Sequence, residues 1–124
     1  MRLPKEQLPA LIEEEGAFSR DVEWGDMNVA YEVFPPMDAT PFFKGLPDDR
    51  CQCPHWGYLM KGRMRIKYRD REEVVSAGDL YYLPPGHIPV VEEQIEVVEF
   101  SPKGEYQKTL EVIRRNMAEM KEAP

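Results

Sequence analysis

Apolar and polar residues alternate through most of the middle of the chain. From residue 27 to 34, and again from 63 to 69, every second residue is apolar, which is the pattern of a strand. In the second run Met64, Ile66 and Tyr68 alternate with basic residues, so one face of that strand is predicted to be buried. The other predicted strands lie at residues 55–60, 72–76, 80–83 and 89–100.

Glycine and proline separate these runs. Pro35-Pro36 ends the first strand and opens a loop that extends to residue 50, and Lys61-Gly62 is predicted to form a tight turn. Short strands at close spacing, joined by such turns, favour a small sandwich or barrel. The pattern therefore predicts an all-β domain whose barrel spans about residues 20–101.

Both ends of the chain are predicted to be helical. At the N-terminus, residues 4–15 begin with a proline suited to a first helical turn and end before Gly16. At the C-terminus, residues 104–121 have apolar positions at helical spacing. The apolar seam of this second helix consists of Tyr106, Leu110, Ile113, Met117 and Met120. Such a seam packs on its own domain or pairs with the same helix of a second copy.

Length and charge narrow the possibilities. A chain of 124 residues, here 1–124, is expected to form a single domain. The net charge of -7 disfavours nucleic acid and anionic membranes as partners. No apolar run approaches the roughly 20 residues that span a bilayer, and the first residues do not resemble a signal peptide, so we expect a cytoplasmic protein. The basic stripe of residues 63–69 is expected to pair with Glu92, Glu93, Glu96 and Glu99 on a solvated outer face.

Both cysteines and both histidines lie in two short segments. Cys51, Cys53 and His55 belong to the first segment, and His87 belongs to the second. Thiolate and imidazole ligands favour zinc most, with iron or copper as alternatives. In a flat strand Cys51 and His55 would lie about 13 Å apart at roughly 3.3 Å per residue. They can share one divalent metal only if the chain bends, and Pro54 makes a bend plausible.

The same two segments resemble the paired motifs of the cupin superfamily. Gly78-Asp79, the apolar run that follows and Pro84-Pro85-Gly86 are similar to the second motif, and residues 55–62 are similar to the end of the first. Together with the flanking strands, the resemblance covers about residues 26–101. It implies a small single-domain jelly-roll β-barrel.

The usual cupin metal ligands are replaced in this chain. The resemblance places the two histidines of the first motif at Asp49 and Cys51, its glutamate at His55 and the last histidine at Pro89. His87, two positions earlier, is the nearest substitute. The superfamily also contains metal-free members and binding proteins without catalysis, so the fold alone does not assign a function.

These observations leave several hypotheses open. The first is a small-molecule-binding cupin with a nonstandard Cys/His metal site at the barrel mouth, which either only binds its ligand or also acts on it as an enzyme. The second is a metal-free binding or sensing module, and the third is a structural dimer without catalysis. A cysteine nucleophile activated by His55 is a further alternative. Strand 55–60 is apolar on both faces, which favours a homodimer or cover from the terminal helices.

Overall fold

The computed structural model describes residues 1–14 and 16–122. Eight strands are followed by one helix. The strands are β1 (Ala10–Glu14), β2 (Ala17–Trp24), β3 (Met27–Phe34), β4 (Met37–Asp38), β5 (His55–Lys67), β6 (Glu72–Ser76), β7 (Leu80–Leu83) and β8 (Ile88–Pro102), and the helix is α1 (Lys103–Glu122). Single 3-10 turns lie at Lys5–Gln7, Thr40–Phe43 and Pro47–Asp49.

All strand pairs are antiparallel, and β5 and β8 form the centre of the sheet. The hydrogen-bonded order is β1-β2-β3-β8-β5-β6, with β4 added to β8 and β7 added to β5. Within the described ranges β1 and β6 end this order without pairing with each other, so the sheet is not closed. The predicted all-β fold with a C-terminal helix is confirmed, but in place of a closed barrel the structure has an open sheet.

The predicted tight turn at Lys61-Gly62 is wrong, because β5 runs through it. The β5–β8 register shifts three times between Leu59 and Met64. Gly62 has a φ of 88°, and a Cβ at that position would collide with the backbone carbonyl of Gln94. Irregular pairing of this kind bends strands, so one strand pair passes from one half of the sheet to the other.

The predicted N-terminal helix is also wrong. Pro9 lies inside the predicted span, where it lacks a donor and disfavours helical geometry at the preceding residue. Leu8 is accordingly extended, with φ -66° and ψ 140°. The following residues pair with β2 as an edge strand, in which Ile12 lies opposite Ser19. Glu15, the last residue of the predicted helix, lies outside the described residues.

The C-terminal helix forms as predicted. Its seam lines an internal cavity, so the seam packs on its own domain. Asn116 is buried and donates hydrogen bonds to the carbonyl oxygens of Phe42 and Lys44 at 2.7 and 2.9 Å, which fixes the helix to the loop that follows β4. Among the residues described, no helix has both the length and the apolarity needed to cross a membrane.

The basic stripe on β5 is paired with acidic residues of β8, as predicted for Glu92 and Glu93. Arg63 contacts Glu92 at 3.1 Å and Glu93 at 2.9 Å, and Arg65 contacts Glu92 at 3.4 Å. These pairs occupy the outer face of the sheet. Glu99 departs from the prediction, because it faces the interior of the molecule.

Candidate metal centre

Three of the four predicted ligands come together at one end of the sheet. The candidate ligand atoms of Cys51, His55 and His87 all lie within 4.8 Å of one another, and all three residues are buried. Sγ of Cys51 is 3.6 Å from Nε2 of His55, and the two imidazole rings are 5.0 Å apart. We call these three residues the CHH group.

The backbone brings together residues that are far apart in sequence. His55 begins β5, whereas Cys51 lies in the segment before it and pairs with His87 as an isolated bridge. The amide of Cys51 donates to the carbonyl of His87 at 3.1 Å, and the amide of Gly86 donates back to Cys51 at 2.8 Å. The chain bends at Cys53, next to Pro54, before the strand begins. This bend replaces the separation of about 13 Å expected for a flat strand with direct side-chain contact.

His87 is held with one ring nitrogen directed at the CHH group. Its Nδ1 is 2.7 Å from the carbonyl oxygen of Pro84, and because a carbonyl only accepts, Nδ1 carries the proton. Nε2 therefore presents a lone pair. Nε2 is buried and has no hydrogen-bond partner among the described residues. An unpaired buried acceptor is costly, and a metal ion at this point would satisfy it.

His55 is oriented by two groups on β8. Its Nδ1 lies 2.7 Å from Oγ of Ser101 and 3.3 Å from a carboxylate oxygen of Glu99. The hydrogen bond of Nδ1 is therefore with Ser101, the carboxylate of Glu99 lies beside it, and when Nδ1 carries the proton Nε2 presents its lone pair toward Cys51. Polar groups around the second ring nitrogen of a histidine are the usual outer support of a metal ligand.

Glu99 and Ser101 lie at the candidate site, where the sequence interpretation did not place them. Their position follows from alternation along β8, where Ile95 and Val97 are buried core residues and the next inward positions are 99 and 101. The adjacent apolar residues Val97 and Val98 interrupt the alternation in the sequence, and a bulge there would reverse the later positions. The register between β3 and β8 is regular from 95 to 102, so no bulge occurs there.

Tyr81 completes the support of Glu99. Its hydroxyl donates to Glu99 at 2.5 Å. To reach the carboxylate, the ring crosses over Gly57 on β5, where an added Cβ would collide with the tyrosine ring. Gly57 is therefore required by close approach, because any side chain at that position would displace Tyr81.

Burial shifts the protonation of the CHH group. It lowers the pKa of His55 to about 4, and burial together with His55 lowers the pKa of His87 to about 4, so both rings are neutral at pH 7. Burial raises the pKa of Cys51 to about 12, so without a cation its sulfur is a thiol. A free thiolate nucleophile is disfavoured in this environment, whereas a metal ion would displace the proton.

The remaining residues singled out from sequence lie apart from the CHH group. Cys53 is fully buried but packs in an apolar cluster with Phe43 and Ile88, and its Sγ contacts the carbonyl of Pro54 at 3.5 Å. Asp49 accepts a hydrogen bond from the amide of Gly45, in the exposed loop. The structure therefore does not bring Cys53 or Asp49 to the candidate centre.

A cavity of about 420 Å³ opens beside the CHH group. Its walls are the inner face of the sheet and the seam of α1, and they are mostly apolar. The aromatic residues that line the cavity include Phe42, Phe43 and Tyr81. Trp56, Tyr58 and Tyr82 lie on the outer face instead, where they are about half exposed.

Comparisons with known proteins identify the fold. No protein-family model and no curated protein sequence matches the chain. Among solved structures, the polyketide cyclase RemF from Streptomyces resistomycificus aligns with a TM-score of 0.55 at 19% identity, over 83% of this chain and 79% of that chain. An RmlC-like cupin from Shewanella frigidimarina aligns with a TM-score of 0.53 at 17% identity, over 78% and 86% of the two chains.

A third structure, oxalate decarboxylase from Bacillus subtilis, aligns with a TM-score of 0.55 at 17% identity. The aligned part covers 81% of this chain but only 28% of the decarboxylase. Similarity at these identities establishes the fold and leaves the activity open. The chain therefore has a cupin-like fold, as the glycine and proline motifs of its sequence indicated.

Proposed function

We propose that this protein binds one divalent transition-metal ion through the CHH group and uses the metal to bind a small molecule in the adjoining cavity. The observation that carries the proposal is the orientation of His87. Its Nε2 is buried and has no hydrogen-bond partner among the described residues, and His87 offers a ligand atom within 4.8 Å of those of Cys51 and His55. One thiolate and two imidazoles form a donor set that fits zinc best, with iron and copper as alternatives.

The surrounding residues suit an open metal site. Three protein ligands leave at least one coordination position free, and a metal with such a position polarises an oxygen atom of a bound molecule. Glu99 and Ser101 hold the ring of His55 in place. The apolar walls of the cavity exclude water from the face where a ligand would meet the metal.

Metal analysis of protein purified without a histidine tag tests this proposal. We expect near-stoichiometric metal in the wild type and loss of most of it in Cys51→Ser and His87→Ala. Cys53→Ser is the matched control, because Cys53 is equally buried and only two residues away but lies outside the CHH group. In cobalt-substituted protein a thiolate-to-cobalt charge-transfer band should appear and should be absent from Cys51→Ser.

Two results would contradict the proposal. One is wild-type protein that contains no metal and whose thermal stability is unchanged by added zinc or by chelator. The other is equal metal loss in Cys51→Ser and Cys53→Ser. Either result would favour a metal-free binding module, in which the cavity alone recognises the ligand.

We further propose that the protein is a homodimer. An outer aromatic face, made of neighbouring residues on β5, β7 and β8, is 39–82% exposed. It consists of Trp56, Tyr58, Leu80, Tyr82 and Phe100. Five large side chains of about 200 Å² each, roughly half exposed, present on the order of 500 Å² of surface. A standard interface buries roughly 800 Å² on each partner. The face carries no charge although the chain is acidic, so a second copy is the partner best able to cover it.

Sedimentation measurements test the dimer. Trp56→Glu places a charge in the centre of the outer aromatic face and should convert the dimer to monomer. Lys108→Glu is the control, because it also introduces a negative charge at an exposed position but lies on α1, away from the outer aromatic face. A wild-type protein that is monomeric at high micromolar concentration would exclude the dimer.

A further inference from the structure

The charged residues of the cavity restrict what it can bind. Among the described residues that line it, the acidic and basic ones are Glu14, Glu32, Glu99 and Lys121. Lys121 is the one basic side chain in that set, and it pairs with Glu14 at 2.8 Å. No described lining residue therefore offers an unpaired cation to an anionic ligand, while two carboxyl groups face the interior.

Glu32 lies on the same inner surface as the CHH group. It projects from β3, where Ala30 lies opposite Glu99 of β8, so Glu32 is diagonal to Glu99 at roughly 7–8 Å along the face. Oγ of Ser19, which is fully buried on β2, donates a hydrogen bond to the carboxyl group of Glu32 at 3.1 Å. The mechanism proposed above does not use either residue.

The surroundings of Glu32 keep its carboxyl group neutral. Burial and, less strongly, the neighbouring acids Glu99 and Asp21 together raise the pKa of Glu32 to about 8, against the hydrogen bond from Ser19. Tyr106 of α1 is also close enough to interact with it electrostatically. A protonated carboxyl both donates and accepts a hydrogen bond, which a carboxylate does not.

We propose that the cavity selects a neutral, largely apolar ring compound with a hydroxyl or carbonyl group, and that Glu32, supported by Ser19, hydrogen-bonds that polar group. The inference rests on the proposed function only in placing a metal at the other end of the ligand. The volume of about 420 Å³ and the apolar walls suit a compound of two or three rings. Apart from a metal in the CHH group, no described lining residue offers an anion an unpaired cation, so the part of the cavity around Glu32 favours a neutral ligand.

Binding of two probes of equal shape tests the selectivity. We expect 2-naphthol to bind the metal-loaded protein about tenfold more tightly than 2-methylnaphthalene, which lacks the hydroxyl group, measured by calorimetry at pH 7. Glu32→Leu should reduce the affinity for 2-naphthol by about tenfold, because it removes one hydrogen bond. Glu32→Gln should retain the affinity, because an amide donates and accepts as a protonated carboxyl does. Glu13→Gln, an exposed carboxyl on β1, is the control.

The outcome separates this inference from the proposed metal site. Equal binding of the two probes, or unchanged naphthol affinity in Glu32→Leu that circular dichroism shows to be folded, would overturn the inference even if metal is present. Ser19→Ala provides a second variant should Glu32→Leu not fold, and it should weaken naphthol binding severalfold. Selective naphthol binding by protein that holds no metal would support the inference and contradict the metal site.

Discussion

The inner face of β5 and β8 differs sharply on the two sides of the bend at Gly62. On one side it presents His55 and Glu99 to the cavity, and Ser101 contacts His55. On the other side it presents a core of aliphatic and aromatic side chains with almost no exposure, including Ile66 and Val91. The same two strands therefore supply a polar site and an apolar core.

The difference shows where stability and chemistry reside. Each fully buried aliphatic side chain beyond the bend contributes about 1.5–3 kcal/mol relative to exposure. The buried carboxyl groups and the unpaired Nε2 of His87 act in the opposite direction, because polar groups lose hydration there. The apolar end thus stabilises a fold whose other end holds groups that oppose folding.

The largest expected effect comes from the apolar end. Ile66 is fully buried, and Ile66→Ala should lower the free energy of unfolding by about 2–5 kcal/mol, measured by urea denaturation. Folded Ile66→Ala should still bind metal in the wild-type ratio. Val74→Ala, at an exposed position, should cost well under 1 kcal/mol. Loss of metal binding by folded Ile66→Ala would show that the two ends are not separable.

The pH dependence of metal-free protein should reveal the opposing groups at the site. The two histidines have lowered pKa values, so their contribution to stability falls as pH drops from about 6.5 to 4. Glu32 and Glu99 have raised pKa values of about 8 and 7, so their contribution falls as pH rises from about 4.5 to 8. Between about pH 4.5 and 6.5 the opposing changes in unfolding free energy from the histidines and the glutamates cancel. From pH 6.5 to 8 the unfolding free energy should then decline by roughly 2–3 kcal/mol.

Two variants separate these contributions. Glu32→Gln should remove the larger part of the decline above pH 6.5. His87→Gln should extend the decline down to about pH 4.5, because half of the opposing histidine contribution is lost. A wild-type protein in chelator whose unfolding free energy rises steadily from pH 6.5 to 8 would contradict the assignment.

Glu99 should influence the metal more than the fold. Glu99→Gln retains the size of the side chain but removes the carboxylate that lies 3.3 Å from Nδ1 of His55, and loss of such outer support typically lowers metal affinity 10–100-fold. The affinity can be measured by competition with a chromophoric chelator. Glu96→Gln is the control, because Glu96 lies on the outer face, where it pairs with Lys5 and Lys61. Equal affinity of both variants would exclude the supporting role.

The smallest expected effect lies at the mouth of the cavity. Lys121→Met removes the ion pair between α1 and β1, and because both partners are substantially exposed, stability should change by less than about 1 kcal/mol. The rate at which a chelator removes metal should nevertheless rise. Lys108→Met, at an exposed position on the same helix, should leave that rate unchanged.

The sequence predicted most of the fold because its signals are local. Alternation and turn residues located most strands, and seam spacing located α1. The N-terminal helix failed because Pro9 and the available edge of β2 outweighed an apolar stripe at helical spacing. The prediction of a turn at Gly62 was wrong because a turn and a bent strand both place glycine at a positive φ. Which of the two forms depends on the opposite strand, where Gln94 approaches Gly62.

The site was only partly predictable. Cys51, His55 and His87 were identified by residue type, and alternation along β8 would have identified Glu99. The exclusion of Cys53 depends on which way the chain bends before β5, and no local pattern specifies that direction. The pairing of Cys51 with His87 depends on two loops meeting across the sheet.

That pairing also determines how quickly a metal could exchange. The amides of Cys51 and Gly86 exchange with solvent only when the two loops separate, and separation withdraws two of the three candidate ligands at once. Metal release and exchange of these two amides are then the same opening event seen by different methods. The lifetime of a bound ion would be governed by the kinetics of a backbone bridge, which makes those two amides natural reporters of site occupancy.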